Sequence, residues 1–439
     1  MHSKIRIRQG QQMLTAFFCI LLTLMLVARD IFSISISKYV LLLIVALFIA
    51  IAPYESVMDV VAFMLPLLCG LPSNYIFVLL LIKMALCKKI DRRITIAYIV
   101  FVMVWEIAGI TFYTQLLDNE VIKQIVFTWT FFSLLFSNEE FDYFRKLELY
   151  LWGTVLVCGV IVSYSILRAP SNWLYLFSKG WYRFGDVALD DIDGMTLRLN
   201  SNSLAYFSII GIMVAIVLIR SRKSKMNVLY AIMAFFLVIA GFLSVSRSWI
   251  LVAVLCSLIW IVSEMKGAKG MVITILAFVF GGFLVSKIIA SYPELLGGVL
   301  ARLTDKSAEG GNGRTELLIE YGSRITNHVG MLLFGSGAAH YRQAYHMPTS
   351  IHNGSMQLLL SYGIMGGLFF VFGMAEPVYS TIHFAEKRIK LFYWLPMLSI
   401  VLFVQTIQFV NPAYLMMPYI IGVYSIKLGA REEQGKNND

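Results

Sequence analysis

Residues 203–219 read Ser-Leu-Ala-Tyr-Phe-Ser-Ile-Ile-Gly-Ile-Met-Val-Ala-Ile-Val-Leu-Ile without a single charge, and Arg220-Ser221-Arg222-Lys223-Ser224-Lys225 follow at once. An uncharged run of this length spans bilayer hydrocarbon as a helix, because only a helix satisfies its own backbone where water is absent. A short loop dense in Lys and Arg stays on the cytoplasmic side. These two stretches together give an element type and an orientation. The same alternation recurs along the chain about every 30 residues, the spacing of membrane-length helices joined by short loops.

The composition agrees. The 439 residues are 59% hydrophobic and 14% charged, with mean hydropathy +0.76, whereas soluble domains carry roughly 25% charged residues. The expected fold is an all-α polytopic membrane protein of about fourteen transmembrane helices. Spans are predicted near 12–28, 39–53, 57–70, 74–87, 94–112, 121–136, 148–167 and 203–219, then near 226–244, 248–264, 271–290, 353–374, 391–409 and 412–428. Pro53, Glu55 and Asp59 interrupt the 39–70 pair. The first run follows Lys4, Arg6 and Arg8 but is succeeded by Arg29 and Asp30, with Leu26 where a signal cleavage site wants a small residue. It is expected to be a retained helix.

More than half of the 36 Lys and Arg fall in segments 1–11, 88–93, 137–147, 220–225, 265–270, 375–390 and 427–439. These lie on one side of the predicted topology, which puts both termini in the cytoplasm. The net charge of +10 is then mostly a topology signal, and no nucleic-acid partner is expected. The five cysteines, Cys19, Cys69, Cys87, Cys158 and Cys256, sit in or beside spans and suggest neither disulfides nor zinc. Two long connections fall outside, 168–202 and 291–351, each with as many acids as bases. The second lies between the eleventh and twelfth helices. The expected organisation is N-terminal helices 1–167, an aromatic-rich outer loop 168–202, a core 203–374 containing the outer loop 291–351, and C-terminal helices with a tail, 375–439. Within the long loop, Leu317, Ile319, Tyr321 and Ile325 predict a helix after Gly310-Gly311-Asn312-Gly313, and Leu332-Leu333-Phe334-Gly335-Ser336-Gly337 predicts a buried segment and turn.

His352 and Asn353 stand where that loop meets an apolar run. A helix start offers unsatisfied N–H groups and the positive dipole end to an anion, and imidazole exchanges a proton near neutral pH. Arg247, in Ser246-Arg247-Ser248, lies between two spans with almost no loop. Its guanidinium can fork onto phosphate; the plainer reading is snorkelling to headgroups. Arg314 opens the predicted loop helix, while Arg198 and Asn202 precede the eighth span. Each loop arginine alone is more often a solvated charge than a ligand.

Other residues point less clearly to chemistry. His340, His346 and His352 recur at six-residue intervals, which shares no helical face and argues against a zinc triad. Asp186, Asp190, Asp191 and Asp193 lack the spacing of a calcium loop. Lys83 is expected to snorkel. Glu106 is an intramembrane acid with no partner legible in the sequence. Trp173, Tyr175, Phe177, Trp181, Tyr182 and Phe184 suggest an interfacial belt or stacking surfaces for sugars.

Four pieces in order resemble the O-antigen polymerase and O-antigen ligase superfamily of bacterial membrane glycosyltransferases. They are Asn200-Ser201-Asn202-Ser203-Leu204-Ala205, with Ser201 where the family has proline; Ser246-Arg247-Ser248; Gly313-Arg314 with Leu333-Phe334-Gly335-Ser336-Gly337; and His352-Asn353 with Gln357-Leu358-Leu359 and Gly363-Ile364-Met365-Gly366. The resemblance covers about residues 195–375. It implies polymerisation of undecaprenyl-diphosphate-linked repeat units into surface polysaccharide at the outer face of the cytoplasmic membrane, by inverting transfer without metal or other cofactor. Arg247 and Arg314 would hold diphosphate and His352 would handle the acceptor proton. Arg198, Asn202 and Asn353 would position substrate. Implied partners are the lipid-linked donor, a glycan acceptor, membrane lipids, a chain-length regulator and a flippase. Transfer of a finished glycan to a lipid, protein or wall acceptor fits the same residues. A flippase for lipid-linked sugars or a non-catalytic scaffold would leave His352 or Arg247 unexplained.

Overall fold

In the computed structural model the described residues are 2–89, 92–115, 118–137, 141–186, 197, 200–221, 225–264, 287, 297, 314–383, 385 and 389–434. Every regular element among them is a helix. In chain order these are α1 (His2–Asp30), α2 (Lys38–Ile51), α3 (Tyr54–Met64), α4 (Ser73–Leu86), α5 (Arg92–Gly109), α6 (Asn119–Leu135), α7 (Tyr143–Leu167), α8 (Trp173–Ser178) and α9 (Ser201–Arg220). Then follow α10 (Asn227–Leu243), α11 (Arg247–Glu264), α12 (Arg314–Thr326), α13 (Val329–Phe334), α14 (Tyr341–Ala344), α15 (Gly354–His383), α16 (Leu395–Val404) and α17 (Tyr419–Gln434). Five helical stretches are long and apolar enough to cross a membrane: Gln9–Asp30, Ile96–Thr114, Tyr143–Leu167, Ser201–Arg220 and Gly354–His383. Shorter apolar helices accompany them.

The opening stretch forms α9, the centre of the bundle. It is apolar around most of its circumference, so it buries nearly every side chain, against α7, α10, α11 and α16. Asn200 caps its start by accepting from Ser203 N at 2.8 Å. At the far end Ser221 bonds Glu432 of α17, and Arg431 donates to Phe141 O at 2.7 Å beside the start of α7. That end gathers basic side chains, including Arg145, Lys146 and Arg431. The opposite end gathers the starts of α9 and α15 and the end of α16. There Tyr206 packs on Phe403, with ring centroids 5.5 Å apart, and Asn353 Nδ2 donates to Gln405 O at 3.1 Å.

Several predicted spans are redrawn. The 57–70 run is the buried helix α3 followed by a 3₁₀ turn, Leu65–Gly70, whose Pro66 cannot continue an α-helical ladder. Asp59 in it is neutralised by Arg145 Nε at 2.5 Å and by Lys146 of α7. The 391–409 and 412–428 spans are shorter, α16 and α17, with irregular chain between them. The 353–374 span extends to His383 and is broken at Gly363, where φ is 64°. The 271–290 span apart from residue 287, the basic segment 265–270, the Gly310–Gly313 turn, Asp190, Asp191, Asp193 and Arg198 lie outside the described residues.

Candidate functional site

A tight corner of three residues joins α10 to α11. Ser244 ends the first helix, Val245 takes a left-handed φ of 50°, and Arg247 opens the second. Arg183 stitches this corner to its neighbours. Its Nε donates to Ser244 O at 3.2 Å, its Nη2 to Asn202 Oδ1 at 3.3 Å, and its Nη1 meets Asp186 Oδ2 at 3.1 Å. Asp186 in turn accepts from Ser201 N at 3.0 Å. One arginine thus ties the start of α9 to the turn before α11. Arg247 differs from it. Its Nη2 is buried and has no hydrogen-bond partner among the described residues. A buried charged donor left unmade costs about 1–3 kcal/mol or more.

At the same end, Asn353 caps α15, accepting from Met356 N at 2.8 Å while its amide donates to Gln405 O. Ser355 Oγ reinforces the contact at 2.9 Å from Gln405 Oε1. Both ends of the Asn353 side chain are therefore engaged within the protein, and what they position is the helix start. His352 precedes that cap and is exposed. Its loop is built, with a core of its own: Tyr321, Ile325, Tyr341, Tyr345 and Ile351 are buried together with Leu360. Tyr321 Oη donates to Thr349 O at 2.8 Å, and Ile351 N donates to Tyr341 Oη at 3.1 Å. The predicted loop helix is present as α12, with Tyr321 and Ile325 inward, although Ile319 is exposed.

The Gly335-Ser336-Gly337 turn is buried against the break in α15. Ser336 N donates to Leu360 O at 3.1 Å and Gly337 N to Ser361 O at 2.8 Å, using carbonyls that the break at Gly363 frees. A side chain on Gly335 or Gly363 would collide with the other's strand of backbone, and both have positive φ, so glycine is required at each. Here Glu106 finds the partners its sequence withheld. It accepts from Ala338 N at 2.9 Å, Ala339 N at 3.2 Å and Tyr362 Oη at 3.3 Å. Asn411 Nδ2 donates to Ala338 O at 2.9 Å and Ala339 O at 3.2 Å, fixing the same two peptides from the other side. Gln357, one turn after Asn353, accepts from Phe409 N and Val410 N and donates to Asn411 O at 2.6 Å. Irregular backbone is tolerated inside such a bundle only when its polar groups are met in this way.

His340 is 6% exposed, and its Nε2 lies 3.0 Å from Asp118 Oδ1. It is thus a built-in contact, where the sequence suggested a loop histidine of little consequence. Desolvation works against ionisation of Asp118, but His340 and the N–H groups of Glu120 and Val121 together outweigh it and hold the carboxyl below the usual carboxylate range.

Of the sequence-derived residues, Asn202 and the turn before Arg247 are brought together by Arg183. Asn353, with His352 just before it in the chain, joins that end through Gln405, which follows α16, and α16 packs on α9 and α11. Arg314 is the first residue of α12. The aromatic run divides: Tyr175 and Trp181 are exposed, whereas Trp173, Phe177, Tyr182 and Phe184 pack edge-on into one cluster. Arg183 was the missed residue, and its signal was a charge set between Tyr182 and Phe184 inside that run. No protein-family model and no curated protein matches this sequence.

Proposed function

We propose that the chain is a bacterial cytoplasmic-membrane glycosyltransferase that polymerises undecaprenyl-diphosphate-linked repeat units into surface polysaccharide. Both termini are cytoplasmic, and the Arg247 end of the bundle faces outward. An acceptor hydroxyl attacks the anomeric carbon of the donor. The glycosidic C–O bond forms as the C–O bond to diphosphate breaks, with inversion, and the hydroxyl proton passes to His352. The diphosphate leaves carrying the developing charge, which the guanidinium groups of Arg247 and Arg314 stabilise. Asn202 and Asn353 hold the helix starts that frame this site, and Arg198 contributes to donor binding.

The observation that carries this reading is the buried N–H of Arg247, without a partner among the described residues, at a turn whose Ser244 carbonyl and Asn202 side chain are already engaged by Arg183. An anion entering with substrate supplies the missing acceptor. Arg247→Lys keeps the charge and loses the planar fork. It is expected to shorten or abolish the glycan ladder on gels while membrane levels of the protein stay normal. A wild-type ladder in Arg247→Lys would reduce the residue to an interfacial anchor.

A further inference from the structure

At the basic end of the bundle, far along α7 from the proposed site, α1 and α7 leave a groove of about 500 Å³ between them. Gln9, Gln12, Met13 and Ala16 line it from α1, and Arg145, Glu148, Leu149 and Trp152 from α7. Both sets follow the i, i+3, i+4, i+7 spacing of one helical face. Both also run from polar to apolar over about 10 Å at 1.5 Å per residue. The two gradients are parallel, so the groove has a polar mouth and an apolar floor. The floor is open to the surroundings of the bundle: Met13 is 73% and Trp152 41% exposed.

The mouth carries one charge of each sign, each with unused bonding capacity. Arg145 gives its Nε to Asp59, and its two terminal nitrogens make no hydrogen bond among the described residues. Glu148 Oε1 accepts from Tyr230 Oη at 2.8 Å, and Oε2 has no hydrogen bond among the described residues. A guanidinium fork matches phosphate oxygens, and a carboxylate beside it matches an ammonium. An anionic headgroup meets repulsion from Glu148 and a cationic one from Arg145. The chemistry that suits both is a zwitterion with an acyl tail.

We propose that this groove binds a phospholipid with a phosphoethanolamine headgroup. Its phosphate lies on Arg145, its ammonium on Glu148, and one acyl chain lies along Met13, Ala16, Leu149 and Trp152. The site is independent of the proposed glycosyl transfer. A lipid diphosphate has no ammonium for Glu148 and is disfavoured here.

The test titrates the purified full-length protein in detergent with phosphatidylethanolamine and phosphatidylglycerol of equal chain length, counting bound lipid by native mass spectrometry. The wild type is expected to favour phosphatidylethanolamine by about tenfold, the scale of one charge-assisted hydrogen bond. Glu148→Gln keeps an acceptor for Tyr230 and should bring the ratio near one. Ala16→Phe, on the exposed face of α1, should lower binding of both lipids. Equal binding by the wild type, an unchanged preference in Glu148→Gln, or undiminished binding in Ala16→Phe would each overturn the proposal. So would competition by inorganic phosphate at millimolar concentration, which would mark the mouth as a simple anion site.

Discussion

The interior around Glu106 and the corner at Arg247 both place charge inside an apolar bundle, and they resolve it in opposite ways. Glu106 receives three donors, while Asn411 meets the carbonyls of the two peptides that bind it and Gln357 accepts from Phe409 N. At the corner, Arg183 is occupied in joining elements, while Arg247 retains a buried N–H with no acceptor among the described residues. Satisfied polar groups fix a structure. An unsatisfied one beside them is where binding energy from outside can be realised.

The contrast breaks first, and by the largest margin, at Glu106. Glu106→Ala strands two buried peptide N–H groups and a tyrosine hydroxyl, a loss of roughly 3–5 kcal/mol or more. The expected outcome is a collapse in folded protein, read as loss of the monodisperse peak in detergent and a lowered Tm. Unchanged thermal stability would mean that the turn at 335–339 does not depend on this carboxylate. His352→Gln comes next, with normal folding and a fall in glycan assembly of about 10²–10⁴-fold in a purified assay, the usual span for general acid–base catalysis. Near-normal turnover there would move proton transfer to another group.

The smallest effect belongs to the Asp118–His340 contact. Because the folded Asp118 pKa is depressed, its contribution is present above the ordinary carboxylate value, about 3.9, and is lost as pH falls through the lower folded pKa. Hydrogen exchange of residues 338–347 should therefore stay protected in the wild type down through that ordinary range. In His340→Ala protection should fail at higher pH. Identical acid profiles would show that the contact does not hold the loop.

Which of these features the sequence reveals follows from their physics. Helix type was legible because burial in an apolar medium leaves a local mark, as at 203–219. Asn353 at a helix start and the turn at Gly335–Gly337 were legible for the same reason. Glu106 was visible only as an oddity, since its partners lie more than two hundred residues away in the chain. Arg183 was hidden among aromatic residues, and the break at Gly363 required a facing Gly335 that no local pattern announces. The short α3 was misjudged because hydropathy does not distinguish a helix buried among helices from one that spans alone.

The central claim, that Arg247 keeps its N–H open for diphosphate, is tested most directly by binding. Titration of the purified wild type and Arg247→Lys with a short-chain prenyl diphosphate, followed by thermophoresis, isolates that contact from turnover. Arg247→Lys is expected to bind about tenfold or more weakly, the loss of one charge-assisted hydrogen bond, with His352→Gln binding as the wild type does. Equal affinity in all three proteins would contradict it.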